Sequence, residues 1–306
     1  MKRILISTLA LVATFSPLFG QEGKFPRILV QTGEDEFSGF MIDANKTEFL
    51  YRETMKTTLT RRQRLSSCTV YFLHPPEFIE ALELYKARNY KDAAETFAQC
   101  AKDYEKFKEV KANPSTLAGF YEMECYRRLE DLETLMGLVE KFDPQTLLHE
   151  SHKLQYEIYQ VFWDAVRTKG WVRLEAICND PKWRNRKMPG SIRAQICYVQ
   201  GLAREGIKQP VKALNSYNGA FVADFSASEE ITKKSALNCL RIILAHEDVK
   251  TAMDLYSTED YSDESNGAEL IKEATALLEL WDKVLGGGEN IPAKYKIFLK
   301  YPPKNK

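Results

Sequence analysis

Few residue clusters in this chain have types and spacings suited to chemistry. His149 and His152 flank Glu150 and Ser151, a spacing that puts two imidazoles on one helix face, where a divalent metal could be held. It is not the His-Glu-x-x-His spacing of zinc proteases, and His149 falls at a helix start, where polar residues are ordinary. His246-Glu247-Asp248 and the run Glu259-Asp260-Tyr261-Ser262-Asp263-Glu264 supply carboxylates. The run lacks the alternating Asp, the Gly and the distal Glu of a calcium loop, and reads as a solvated connection. Arg61, Arg62 and Arg64 suit an anionic polymer, and equally a charged strand edge that blocks pairing with another sheet. No metal site and no cofactor are expected.

Nucleophilic and phosphate chemistry have less support. The chain has no Gly-x-Ser-x-Gly elbow, no Gly-Lys-Ser/Thr loop and no Gly-x-Gly-x-x-Gly. Gly286-Gly287-Gly288 follows a helical segment instead of opening one, the wrong context for cradling phosphate. No catalytic residue is nominated. An acid–base pair among the 43 carboxylates is the enzymatic option left open.

Six cysteines, Cys68, Cys100, Cys125, Cys178, Cys197 and Cys239, include no Cys-x-x-Cys pair. Cys100 and Cys125 fall on neighbouring predicted helices, as do Cys178 and Cys197. Two readings stand: each pair forms a disulfide worth about 3 kcal/mol at such loop lengths, or each cysteine is a small buried packing residue.

The compartment bears on that choice. Lys2 and Arg3 precede a nearly uncharged run from Ile4 to Phe19, broken at Pro17 and followed by the small Gly20. This is the pattern of a secretory signal peptide over residues 1–20. No second long apolar run follows, so no membrane span is expected after cleavage. Lys plus Arg equals Asp plus Glu at 43 each, without the basic excess of a nucleic-acid binder. Hydrophobic residues at 44% and charged residues at 28% fit a folded chain.

The elements fall into two regions. From 25 to 73, short runs rich in Val, Ile, Phe and Tyr (Arg27–Gln31, Gly39–Asp43, Glu48–Glu53, Thr69–Leu73) alternate with turn formers. Their order resembles a small Sm-like or SH3-like β-barrel. From 75 to 286 the period becomes helical, with Glu77–Ala87 and Lys91–Phe107 as a first antiparallel pair. Ser226 and Glu229 have the spacing of a capping box, and a last helix spans Gly267–Leu285. The apolar tail, 287–306, is expected to pack back on the last repeat or to engage a partner.

In the helical region Ala93, Phe97 and Cys100 recur as Ala213, Tyr217 and Ala220, with Gly201 on the partner helix, and as Ala252 and Tyr256. Positions 135, 174, 213 and 252 are spaced by 39 residues, and 93 to 135 by 42. Small residues let helix backbones approach, and an aromatic fills the next groove. The pattern resembles the tetratricopeptide repeat, though its period exceeds the usual length of about 34. The expected fold is therefore mainly α: a tetratricopeptide-like solenoid of about five hairpins behind a small all-β domain.

That resemblance implies a concave groove lined by the first helix of each hairpin. Its register nominates Tyr85, Lys86, Gln195, Tyr198 and Glu205 as contacts for a protein or peptide partner. The implied function is a non-catalytic binding scaffold or assembly factor of a bacterial cell envelope, exported to the periplasm or beyond. An envelope enzyme or enzyme subunit acting on glycan or peptide is the first alternative. A self-assembling structural subunit, with homo-oligomer contacts through its ends or tail, is the second.

Overall fold

The computed structural model describes residues 25–33, 35–223, 229–286 and 288–304. The signal-peptide pattern, Ser226 with its capping partner's side chain, and Gly287 lie outside the described residues. The described chain is mainly helical behind a small antiparallel sheet. It divides into two compact units: residues through Asp131 together with Lys141–Leu148, and Leu132–Glu140 together with His149 onward.

The first unit begins with β1 (Arg27–Thr32), β2 (Asp35–Ala44), β3 (Glu48–Arg52), β4 (Arg61–Arg64) and β5 (Thr69–Phe72), in the spatial order β4-β3-β2-β1-β5. Alternation sets the faces. Ile28 and Val30 of β1, and Phe49 and Tyr51 of β3, point inward while their neighbours are more exposed. Asn45 shapes the β2–β3 turn, its Oδ1 accepting from the backbone N–H of Thr47 and Glu48. Among the described residues β4 pairs only with β3 and β5 only with β1, so the sheet is open and not the closed barrel expected.

An open sheet with one apolar face must cover it. The cover comes from α1 (Pro76–Lys86), α2 (Tyr90–Asp103) and α3 (Pro114–Leu129). Ile28, Val30, Met41 and Phe49 join Phe78, Ala93, Phe97 and Cys125 in one continuous core. The strands are therefore part of a larger unit, and residues 73–75 do not separate two cores. Within it Phe97 stacks on Tyr121 with centroids 5.3 Å apart, and Phe78 meets both edge-on.

The second unit contains α4 (Leu132–Val139), α5 (Glu150–Ile158), α6 (Asp164–Arg167), α7 (Trp171–Asn179), α8 (Pro181–Arg184), α9 (Gly190–Gly206), α10 (Pro210–Ala223), α11 (Glu229–Ala245), α12 (Glu247–Leu255) and α13 (Asn266–Leu280). A π-helical turn, Tyr159–Trp163, joins α5 to α6, and another, Trp281–Leu285, extends α13. Helices α9 and α10 pack closely; α9 also meets α7, and α10 meets α11. After Gly288 the tail forms a 3-10 helix, Ala293–Lys300, that buries Tyr295 and Phe298 against α11 and α13. The tail thus packs back on the last helices.

A recurring backbone device ends α1, α3, α6 and α9. Arg88, Glu130, Lys169 and Lys208 adopt left-handed backbone conformations, with φ of 63°, 59°, 52° and 62°. Each lies just past the end of its helix and makes the two reversed hydrogen bonds of a Schellman ending. At Lys208 its own N–H reaches Glu205 O at 2.8 Å, and Gln209 N–H reaches Arg204 O at 2.8 Å. Five residues after each stands Ala93, Leu135, Leu174 or Ala213, all fully buried. The 42- and 39-residue spacings therefore track this turn. The fifth pair departs from it: His246 joins α11 to α12 with φ of −72°, and Ala252 follows one position later than the spacing of the others.

Candidate functional site

Helix α9 follows Pro189 and carries three of the nominated partner contacts. Two of them face inward. Gln195 and Gln155 exchange side-chain amide hydrogen bonds at 3.0 and 2.8 Å, and Trp163 Nε1 donates to Gln195 Oε1 at 3.0 Å. Tyr198, 6% exposed, packs between the rings of Trp163 and Tyr217. Glu205 is half-buried and accepts from Tyr217 OH and from Arg241 Nη2, each at 2.6 Å. These groups hold the unit together and do not form the exposed groove that the register implied.

The nominated pair on α1 divides in the same way. Tyr85 is half-buried, touches the rings of Tyr90 and Tyr121, and donates to Glu124 Oε1 at 3.4 Å. Arg128 lies over its ring, and burial pushes its phenol pKa well above the usual range. Lys86 is exposed and pairs with Glu83 at 2.8 Å. Of the packing residues, Ala93, Phe97, Gly201, Ala213, Tyr217, Ala220 and Ala252 are buried, and Tyr256 is half-buried.

The accessible face of α9 lies on roughly the opposite side from the expected one, about 140° around the helix at 3.6 residues per turn. Arg193, Cys197, Gln200 and Arg204, spaced four, three and four apart, line an open cleft of about 450 Å³. Cys178 and Asn179 from the end of α7, Arg184 from α8, and Ile196 of α9 complete it. Pro181 at the first turn of α8 and Asp180 as its cap, bonded to Lys182 N–H at 2.8 Å, start the short helix that presents Arg184.

Electrostatics give the cleft its character. Arg204 Nε pairs with Glu175 at 3.1 Å, and its Nη1 donates to Ser216 Oγ and Lys212 O. Arg193 is held by neutral groups: Nη1 donates to Trp183 O at 3.0 Å and Nη2 to Arg186 O at 2.8 Å. Arg184 is exposed, and among the described residues it meets no carboxylate. The cleft lining thus carries three guanidiniums and no carboxylate, Glu175 pairing with Arg204 from beside it. Gln200 and Asn179 are bonded to each other at 3.3 Å and add amide groups to the wall. The arrangement suits an anionic group held by fixed, planar donors.

The thiols of this cleft are not poised for attack. Burial raises the pKa of Cys197, against the opposing pull of Arg193 and Arg204, and burial with Glu175 beside it raises that of Cys178. All six cysteines are free thiols, so the bridges considered for Cys100 with Cys125 and for Cys178 with Cys197 are not formed. Cys100 and Cys125 are fully buried packing residues whose pKa values burial pushes up to about 12.

The remaining candidates dissolve into local structure. His149 and His152 meet edge to face at 5.3 Å, and no group of three metal-ligating side chains occurs among the described residues. Arg61 pairs with Glu53 and Arg62 with Glu48, which makes β4 a charged edge. No helix among the described residues is long and apolar enough to cross a membrane. No protein-family model, curated protein or solved structure matches the chain.

Proposed function

We propose that this protein is a non-catalytic binding scaffold that holds an acidic segment of a partner protein in the α7–α9 cleft. The observation that carries this reading is the pairing of open space with fixed charge: about 450 Å³ lined by Arg184, Arg193 and Arg204, with Glu175 as the nearby counter-charge. Guanidiniums fixed by backbone carbonyls lose little freedom when they bind a carboxylate, which favours them as anchors. The recurring hairpin turns support the tetratricopeptide-like resemblance.

The leader pattern over residues 1–20 makes the envelope or the extracellular space the compartment of that partner. The mass of the protein recovered from its native host tests this, since loss of the leader marks export. The binding test is affinity capture from the native envelope with the wild-type chain and with R184E/R193E. A partner captured only by the wild type, and released as salt rises, is the expected result. Equal capture by both chains, with both folded by circular dichroism, overturns the reading.

A further inference from the structure

Away from the arginine cleft, the C-terminal residues of the chain lie on the connection between α12 and α13. Tyr256 OH donates to Pro302 O at 2.7 Å, and Asp263 Oδ1 accepts from Lys304 N–H at 3.2 Å. Lys304 Nζ stands 5.1 Å from the Tyr256 ring and 5.0 Å from the Tyr261 ring. The two rings meet edge to face at 5.0 Å, and Tyr301 closes on Tyr256 at 5.2 Å. The seat therefore grips a carbonyl, an amide two residues later, and a cation between two aromatic faces.

Each contact is of a kind that an independent peptide can make. An extended proline segment has no internal hydrogen bonds and leaves its carbonyls available, and aromatic grooves dock such segments at low entropic cost. An ammonium between tyrosine rings gains from both quadrupoles. Charge around the seat matches a basic ligand, since the connection carries Glu259, Asp260, Asp263 and Glu264. Tyr261 also lines an open cavity of about 240 Å³ with Asp248, Asp260 and Asn266, and among the described residues none of the tail takes part in its wall. The seat thus continues past what the tail fills.

We infer that Tyr256, Tyr261 and Asp263 form a second recognition site, for a Tyr-Pro-Pro-Lys type of segment in a partner protein, and that Tyr301–Lys304 plug it in cis. The acidic run that fits no calcium loop thereby acquires a role as the wall of a site for a basic peptide. This site shares no residue with the arginine cleft, so either stands without the other.

The test uses the full chain carrying Y301S, P302S and K304S, which keeps its length but removes the plug. A fluorescent peptide with the sequence of residues 299–306 is titrated by anisotropy into this chain and into the native one. Expected is an apparent Kd at least tenfold lower for the substituted chain, because the native seat is already occupied. Adding Y261A to the substituted chain, or replacing the peptide lysine by Gln, is expected to weaken binding about fivefold. R193E leaves the peptide titration unchanged, which separates this site from the cleft. Equal affinity for both chains, no binding to either, or insensitivity to both Y261A and the Gln peptide overturns the inference.

Discussion

The ring of Tyr217 on α10 lies against the backbone of Gly201 on α9, its Cε1 only 2.3 Å from where a β-carbon on residue 201 would stand. The Tyr217 hydroxyl reaches back to Glu205 on the same helix at 2.6 Å, and Glu205 also holds Arg241 of α11. One glycine therefore admits an aromatic that ties three helices together. G201A is expected to destabilise the protein by about 2–3 kcal/mol, because a methyl there forces the ring and both helices apart. Urea unfolding measures this. Y217F, which keeps the ring and removes the hydroxyl, should cost about 1–2 kcal/mol.

Lys169 and Lys208 are exposed residues held in left-handed backbone conformations that glycine adopts without a side-chain penalty. K169G and K208G should each stabilise the protein by about 0.5–1 kcal/mol, less if the looser unfolded chain offsets part of the gain. Replacing either by Val should destabilise, since a β-branched residue tolerates positive φ poorly. Paired thermal melts of the three substitutions at one site discriminate this turn from an ordinary surface loop.

Glu122 on α3 is a carboxyl that burial pushes toward neutrality, up to about 7. Its pKa in the unfolded chain is near 4.5, so between these values the folded state binds the extra proton. Stability contributed by this group is complete below pH 4.5, falls as pH rises towards 7, and is lost above it. E122Q should flatten that fall and raise stability at pH 8 by about 1–2 kcal/mol, a figure reduced for partial solvent screening. Unfolding free energies at pH 5 and pH 8 for both chains supply the measurement.

The thiols should separate by exposure. Burial raises the pKa of all six thiols, but Cys68 and Cys197 are only half-buried, while Cys100, Cys125, Cys178 and Cys239 are buried. A maleimide added to the native protein at pH 7 should label the first two and spare the other four, as peptide mass mapping would show. Reduction beforehand should not raise the number of thiols titrated in denaturant. An increase of two would reveal a disulfide.

Local patterning carried much of the fold. The alternation of Ile28 and Val30, and of Phe49 and Tyr51, marks strands because side chains in an extended backbone point to opposite faces. The spacing from 93 through 135 and 174 to 213 marks a recurring helix ending, because each residue sits five positions after a left-handed turn. Even the arginines of β4 announced a charged edge.

Which side of α9 meets solvent was not legible in the same way. Ala194, Gln195, Tyr198 and Val199 are buried because α9 has neighbours on more than one side, which blurs the amphipathic stripe that would orient it. Gln195 reads as a polar surface residue until Gln155, forty positions earlier, supplies its partner. The shared core of sheet and helices, the cleft between α7, α8 and α9, and the seating of Lys304 between two tyrosines have the same origin. Periodicity is a property of neighbours along the chain, so the elements and their recurrence follow from residue order. Burial of a given face, and the meeting of charges or rings far apart in the chain, depend on what packs against them, and these arise only once the helices and strands are packed.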